Sequence, residues 1–365
     1  PFQKLEEIVD ESLNFEIPLV RISDKIYSLE LFHGPTLAFK DVGARFMARI
    51  LSHFIGESKD EINVLVATSG DTGSAVANGF LGVEGITVHV LYPKDKVSKM
   101  QEKQFATLGN NIKAIEVEGN FDDCQRLVKT AFKDKAITGH ISLSSANSIN
   151  LARLLPQSFY YWHAWKQLEN NENTVFCVPS GNFGNLTAGL IAQRMGLPAK
   201  HFLAATNIND IVPNYLKNGK FKPRASVSTI ANAMDVGDPS NFSRMMDLFD
   251  SSQEKMASSI TSFSYTDDEI RTTIKNVYQK YNYISDPHGA IGFKASEEYL
   301  KDNPENKIIF FETAHPAKFH EIVEDVIKQE IPIPNRLKQF LNKEKTSLQL
   351  SSEYVDFKEY LIGLK

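Results

Sequence analysis

The chain has 365 residues, 42% of them hydrophobic and 23% charged, with 40 Lys plus Arg against 45 Asp plus Glu. At roughly 100–200 residues per domain this length implies about two domains with cores of their own, and two cysteines, Cys124 and Cys177, in apolar sequence exclude a disulfide scaffold. A formal net charge of -5, no block of like charges and no window near the ~20 apolar residues of a membrane span argue for a soluble, cytoplasmic protein with a small-molecule partner, without nucleic acid or membrane.

In chain order, residue 1 is a proline, which points to a processed or trimmed start. The apolar stretch LELF then ends in the turn His33-Gly34-Pro35-Thr36, and helical spacing begins near Phe39, placing Lys40 at a helix N-terminus among apolar neighbours. Burial beside positive helix-end charge disfavours an ammonium ion and leaves a nucleophilic amine. A lone lysine is far more often a solvated surface cation, so Lys40 gains weight only from its company. Residues 63–68 (NVLVAT) read as a buried strand running into Ser69-Gly70-Asp71-Thr72-Gly73-Ser74. Glycines there allow close approach of a ligand, and amides at the following helix start suit a carboxylate or phosphate; a plain helix cap is the competing reading. Strands over 87–92 and 112–117 alternate with helical spacing over 98–108 and 121–133.

The segment SLSSANSINLARLLPQ carries Asn147, Ser148 and Arg153, donors suited to a phosphate, although Arg153 also suits a surface carboxylate. Helical spacing runs over 149–168. After the strand at 174–178 comes Pro179-Ser180-Gly181-Asn182-Phe183-Gly184-Asn185, then a small-residue helix over 185–195. Two glycines and two asparagines can curl successive N–H groups into an anion cradle that works through oriented amides and a helix dipole. Neither Gly-x-x-x-x-Gly-Lys nor Gly-x-Gly-x-x-Gly spacing occurs, which argues against a nucleotide-dependent enzyme.

A strand at 202–206 follows, and then MDVGDPSNFSR, which receives no role. Helix 266–282 opens on a Thr266/Glu269 capping box. SDPHGAIGF precedes the strand 307–312, and FFETAHPAKF puts Thr313 and His315 directly after that strand. The histidines at 288 and 315 have no Cys, His or carboxylate partner at a familiar metal-ligand spacing. The Lys-rich 335–345 reads as a solvated surface segment. The alternating order implies an α/β fold with mostly parallel sheets covered by helices on both faces. Its lobe boundaries fall near 35–40 and 150: an entry segment at 1–38 packing with the large domain, a smaller domain at 39–150, and a larger one at 151–365 with a C-terminal extension.

A carbonyl for Lys40, a phosphate for 181–185 and a heteroaromatic nitrogen for Thr313 describe pyridoxal 5′-phosphate. From about Phe15 to at least Phe319 the sequence resembles the threonine synthase family, two-lobed PLP-dependent enzymes of fold type II, the tryptophan-synthase-like class. LFHGPTLAFKD is similar to that family's lysine motif, which implies a Schiff base on Lys40. TSGDTGSA resembles its substrate-carboxylate loop, implying roles for Ser69, Asp71 and Thr72, with Asp71 also near the cofactor. PSGNFGN resembles the cofactor-phosphate loop, implying Gly181, Asn182, Phe183, Gly184 and Asn185. ANSINLAR resembles the substrate-phosphate segment, implying Asn147, Ser148 and Arg153, and TAHPAKF the segment whose Thr, here Thr313, faces the pyridine nitrogen.

The resemblance implies conversion of O-phospho-L-homoserine and water to L-threonine and phosphate by γ-elimination and β-addition, in a monomer or homodimer. Members of the family carry a further N-terminal segment, so part of the active-site surround is expected to precede residue 1. Another enzyme of the same cofactor fold, such as a Ser/Thr dehydratase, a cysteine synthase or a tryptophan synthase β chain, would have no use for a second phosphate site. A non-catalytic phospholigand-binding homologue would have no use for a buried amine.

Overall fold

Runs of Val, Ile, Leu and Phe without polar interruption form strands with both faces buried, and these strands make up two separate sheets. The computed structural model of the chain describes residues 2–56 and 61–364. Pro1, on which the expectation about the start rests, lies outside the described residues. The strands in chain order are β1 (Leu19–Arg21), β2 (Ile26–Glu30), β3 (Ile62–Ala67), β4 (Ile86–Pro93), β5 (Ile112–Glu118), β6 (Ser142–Ser145), β7 (Thr174–Pro179), β8 (His201–Thr206), β9 (Ile260–Ser264), β10 (Lys307–Glu312) and β11 (Leu348–Ser351). The fold is α/β with mostly parallel sheets, as the alternating pattern implies.

The described residues group into two compact units. The first takes Pro1–Asn14, Lys40–Arg153 and Ile333–Lys365; the second takes Phe15–Phe39 and Leu154–Pro332. Residues 2–14 and 333–364 therefore belong with the unit that holds Lys40, whereas the linear reading attaches them to the larger domain. The cause of the C-terminal difference is strand pairing: β11 adds in parallel to β5, with Leu348 opposite Ile115 and Ser351 opposite Glu118.

In the first unit the order is β11-β5-β4-β3-β6, all parallel. Side chains alternate across it. Val64, Val66, Val88 and Val90 pack into one buried cluster, and Leu65, Ala67, Leu91 and Ile115 into another on the opposite face. In the second unit the order is β1-β2-β10-β7-β8-β9, parallel except for the antiparallel β1–β2 pair. Both cysteines are free and buried in these cores.

Two expectations about single elements need correction. The helix expected over 149–168 breaks into Leu151–Leu154, a 3-10 turn at Leu155–Gln157 and Ser158–Gln167. Pro156 sits in that turn, where its missing N–H removes a helical hydrogen bond. The segment 335–345 is not a solvated tail either: Asn335–Leu341 is a helix that buries Leu337 and Phe340, and Lys345 pairs with Glu102 and Glu116 at 2.5 and 2.7 Å. No helix among the described residues is long and apolar enough to cross a membrane.

Candidate active site

Parallel strands collect the loops that follow their carboxyl ends, and the segments with Lys40, Ser69–Thr72, Asn147–Arg153, Gly181–Asn185 and Thr313 follow β2, β3, β6, β7 and β10, whereas SDPHGAIGF follows the helix Asp267–Tyr281. In the second unit β7 and β10 are neighbours, with Phe310 opposite Cys177, and each runs two residues further before its loop begins. The glycine loop and Thr313 thus leave the same edge of one sheet side by side.

The glycine loop turns on Phe183, whose backbone is left-handed (φ 59°) and stands before the helix Gly184–Arg194. The N–H groups of Phe183, Gly184 and Asn185 have no acceptor among the described residues, although all three residues are buried. Donors left open at a helix N-terminus are what an anion needs. The side chain of Asn185 laces the loop together: Nδ2 donates to the Pro179 carbonyl at 2.7 Å, and Oδ1 accepts the Leu186 N–H at 3.0 Å. Asn182 Oδ1 accepts the Ser240 N–H at 2.6 Å, and the Asn182 carbonyl accepts Asn241 Nδ2 at 3.1 Å. The helix is made of small residues for a packing reason. A Cβ on Gly189 would lie 2.4 Å from the ring of Tyr161, whose hydroxyl donates to the Asn185 carbonyl at 2.6 Å.

Thr313 is 6% exposed, and its hydroxyl makes no hydrogen bond among the described residues. Its carbonyl accepts the Phe39 N–H at 2.9 Å, His315 N–H donates to the Leu37 carbonyl at 3.1 Å, and Ala38 bridges Ala314. The buried Lys318 donates from Nζ to the Thr36 carbonyl at 3.1 Å. Leu37, with φ 58°, makes the turn that brings this short strand-like crossing about. The next residue after the stapled Phe39 is Lys40, the first of the helix Lys40–Ile55 and half-buried. The lysine is therefore delivered by a segment held on the backbone of Thr313.

In the first unit β3 and β6 are parallel neighbours, so their loops also adjoin. Thr68, missed in the sequence reading, organises the first: its Oγ1 accepts N–H groups of Gly70 and Gly73 at 2.9 and 2.7 Å. Gly70 has φ 142°, and a Cβ there would strike the Gln101 side chain at 2.6 Å. Asp71 opens the helix Asp71–Phe80 and accepts from Gln101 Nε2 at 2.9 Å. The hydroxyls of Ser69 and Thr72, both half-buried, make no hydrogen bond among the described residues. Asn147 clamps the end of β3: Oδ1 accepts the Ala67 N–H at 3.1 Å and Nδ2 donates to its carbonyl at 2.8 Å. One amide hydrogen of Asn147 remains beyond that pair. Ser148 is half-buried beside it, and Arg153 is 2% exposed with Nη1 donating to the Ala146 carbonyl.

A buried polar cluster in the second unit was not foreseen in any role. Asp235 Oδ1 accepts from Asn207 Nδ2 and from the Thr229 hydroxyl, both at 2.8 Å, and burial pushes its carboxyl up to about 6. Glu312, fully buried, accepts the Asp286 N–H at 2.7 Å and the Ser285 hydroxyl at 3.1 Å. Burial first, and the neighbouring Asp286 charge second, hold the Glu312 carboxyl well above its ordinary range. Ser285 and Asp286 sit in SDPHGAIGF and Asp235 in MDVGDPSNFSR, segments rich in Asp, Gly and Pro, but Glu312 and Asn207 come from distant parts of the sequence.

In the second unit, open amides at one helix start and an uncommitted hydroxyl at the adjacent strand end suit the phosphate and ring nitrogen of pyridoxal phosphate, and in the first unit a half-buried lysine at a helix start suits its carbonyl. Comparison with known proteins agrees. The profile of pyridoxal-phosphate dependent enzymes matches residues 16–313, and that of the threonine synthase C-terminal region matches 289–361. Threonine synthase of Haemophilus influenzae is 46% identical over 364 residues, covering 99% of this chain and 84% of that protein. The crystal structure of threonine synthase from Escherichia coli superposes with a TM-score of 0.92 at 41% identity, covering 100% of this chain and 84% of the other. PLP-bound threonine synthase from Brucella melitensis gives 0.90 at 35% identity, over 99% and 84%.

Proposed function

Because the chain belongs to the threonine synthase family of pyridoxal-phosphate-dependent enzymes, we propose that its substrate is O-phospho-L-homoserine, converted with water to L-threonine and phosphate. The observation that carries the site assignment is the pairing of three open, buried amides at Phe183–Asn185 with the uncommitted Thr313 hydroxyl at the end of the neighbouring strand.

The 181–185 loop would hold the cofactor phosphate through its backbone amides, the Thr313 hydroxyl would take the ring nitrogen, and the Lys40 amine would take the carbonyl carbon. When bound, pyridoxal phosphate supplies the electron sink for carbon acids. A hydroxyl at Thr313, in place of a carboxylate, would offer the ring nitrogen no proton-holding counter-ion and would moderate that sink. The Lys40 amine moves protons, first from the substrate's α-carbon and then at its β-carbon. Ser69, Asp71 and Thr72 orient the substrate carboxylate: the two hydroxyls and the helix-start amides are the donors, and Asp71, tied to Gln101, sets the loop. Ser148, Arg153 and the spare amide hydrogen of Asn147 take the substrate phosphate, whose departure from the γ-carbon they assist by holding its charge. The same phosphate, retained there, passes a proton during addition of water at the β-carbon. The reaction takes place on small, water-soluble metabolites, in keeping with a cytoplasmic enzyme.

The lysine assignment is tested by absorbance. The purified protein supplied with pyridoxal phosphate is expected to show a visible band that borohydride removes with covalent retention of the cofactor on Lys40. The Lys40→Ala variant is expected to lack the band and retain no cofactor covalently. A variant that keeps both would contradict the assignment.

A further inference from the structure

His288 lies one residue inside the helix Pro287–Asp302 and is 2% exposed. Its Nδ1 stands 2.6 Å from Asp286 Oδ2, and its Nε2 is the partner of the Ala233 N–H at 3.2 Å. A backbone amide can only donate, so Nε2 carries a lone pair and the ring proton sits on Nδ1, facing Asp286. The two partners together set the tautomer. Asp286 is fixed in turn: it caps the helix, its Oδ1 accepting the Gly289 N–H at 2.7 Å, and its own N–H donates to Glu312 at 2.7 Å. Gly289 is what allows that approach, since a Cβ there would lie 1.7 Å from Glu312 Oε2.

The far end of this chain of contacts reaches the glycine loop. Ala233 belongs to the tight turn in which Met234 N–H donates to the Ala231 carbonyl at 3.0 Å. That turn lies directly on Gly181: a Cβ on Gly181 would stand 2.6 Å from Met234 Cα and 2.9 Å from the Ala233 carbonyl oxygen. Backbone rests on backbone there, with no side chain to absorb a shift. A displacement of the 231–234 turn would therefore pass straight into residue 181.

We propose that His288 is a positioning residue for the phosphate cradle: oriented by Asp286, it accepts the Ala233 N–H and so holds the 231–234 turn against Gly181. The proposal rests on the reading that the 181–185 loop takes the cofactor phosphate. The competing role is packing, because the imidazole also stands edge-on to Phe319, with ring centroids 5.1 Å apart.

Two variants separate a hydrogen-bonding role from packing. His288→Gln keeps an acceptor at the reach of Nε2, whereas His288→Asn keeps a donor for Asp286 but is too short to reach Ala233. The full-length protein, stripped of cofactor, is titrated with pyridoxine 5′-phosphate and with pyridoxine, which cannot bond covalently to Lys40. Loss of the bond is expected to weaken pyridoxine 5′-phosphate about tenfold in H288N, the scale of one hydrogen bond, and to leave H288Q within about threefold of wild type. Amide exchange at Ala233 is expected to be slow in wild type and H288Q and fast in H288N, a signature that packing alone would not produce. Fast exchange of Ala233 in the wild type needs no variant to interpret and would overturn the proposal, as would equal affinities in all three proteins or equal weakening in both variants. If the wild type does not prefer the phosphorylated compound, the phosphate reading of the loop fails and the proposal with it. Preference retained undiminished in H288N overturns the proposal alone.

Discussion

At the scale of single residues, the chemistry-bearing groups divide into those whose environment is local and those whose environment is built by distant chain. Lys40, Ser69, Asp71 and the 181–185 loop stand in short motifs whose turn residues and flanking apolar runs announce them. The Asp286–Glu312 pair is different. Nothing local marks Glu312, the last residue of β10, as a carboxyl that meets Asp286 from the start of another element. Its raised pKa has a consequence for stability. A carboxyl held above its ordinary 4.5 binds its proton more tightly in the folded protein. The stability from that proton is complete below about 4.5 and is lost as pH rises through the folded value, by up to about 1.4 kcal/mol per pH unit. Glu312→Gln copies the protonated group, so its stability relative to wild type is expected to climb as pH rises above about 5 in urea unfolding. Asp235, raised to about 6, acts with the same sign, and His315, lowered to about 4 mainly by burial, with the opposite sign. Both are present in the two proteins and cancel in the difference. A pH-independent difference would contradict the assignment of a protonated Glu312.

Among the elements, the strands most legible in sequence are the central ones. β3, β4, β7, β8 and β10 are buried on both faces and read as continuous apolar runs. The strands that carry no apolar run, β1, β6, β9 and β11, are the sheet edges, and of these only β6 was legible, as the strand side of a strand-to-helix junction. An edge strand such as Ser142–Ser145 takes its identity from pairing with a neighbour and carries no hydrophobic pattern of its own. Helix ends were legible where side chains form the cap. The Thr266/Glu269 capping box is present, with Thr266 N–H donating to Glu269 at 2.9 Å and the reciprocal bond at 3.4 Å. The helix Pro287–Asp302 makes a sharper test, since it contains a glycine that ordinary propensity would replace. Gly→Ala within a helix commonly gains up to about 1 kcal/mol. At Gly289 the added methyl would instead meet Glu312 Oε2 at 1.7 Å and force the carboxyls apart. Gly289→Ala is expected to lose about 2 kcal/mol or more in denaturant unfolding. A gain in stability would show that the Asp286–Glu312 contact is not held as described.

For the whole molecule, the chain does not divide at one point. It enters the first unit with residues 2–14, crosses to the second for 15–39, returns with Lys40, crosses again after Arg153 and returns at Ile333. Periodicity and turn chemistry report neighbours along the chain, so the return of the C-terminal stretch to pair with β5 was not legible in them. At the crossing, Lys40 follows directly on Phe39, whose N–H donates to the Thr313 carbonyl within the second unit. The one reaction proposed for motifs carried by both units is open to direct measurement. Purified protein with pyridoxal phosphate is incubated with O-phospho-L-homoserine, and inorganic phosphate and L-threonine are quantified together. Equimolar phosphate and L-threonine are expected, and both are expected to be abolished by Lys40→Ala. Phosphate released without L-threonine, or L-threonine formed undiminished by the Lys40 variant, would contradict the proposed reaction.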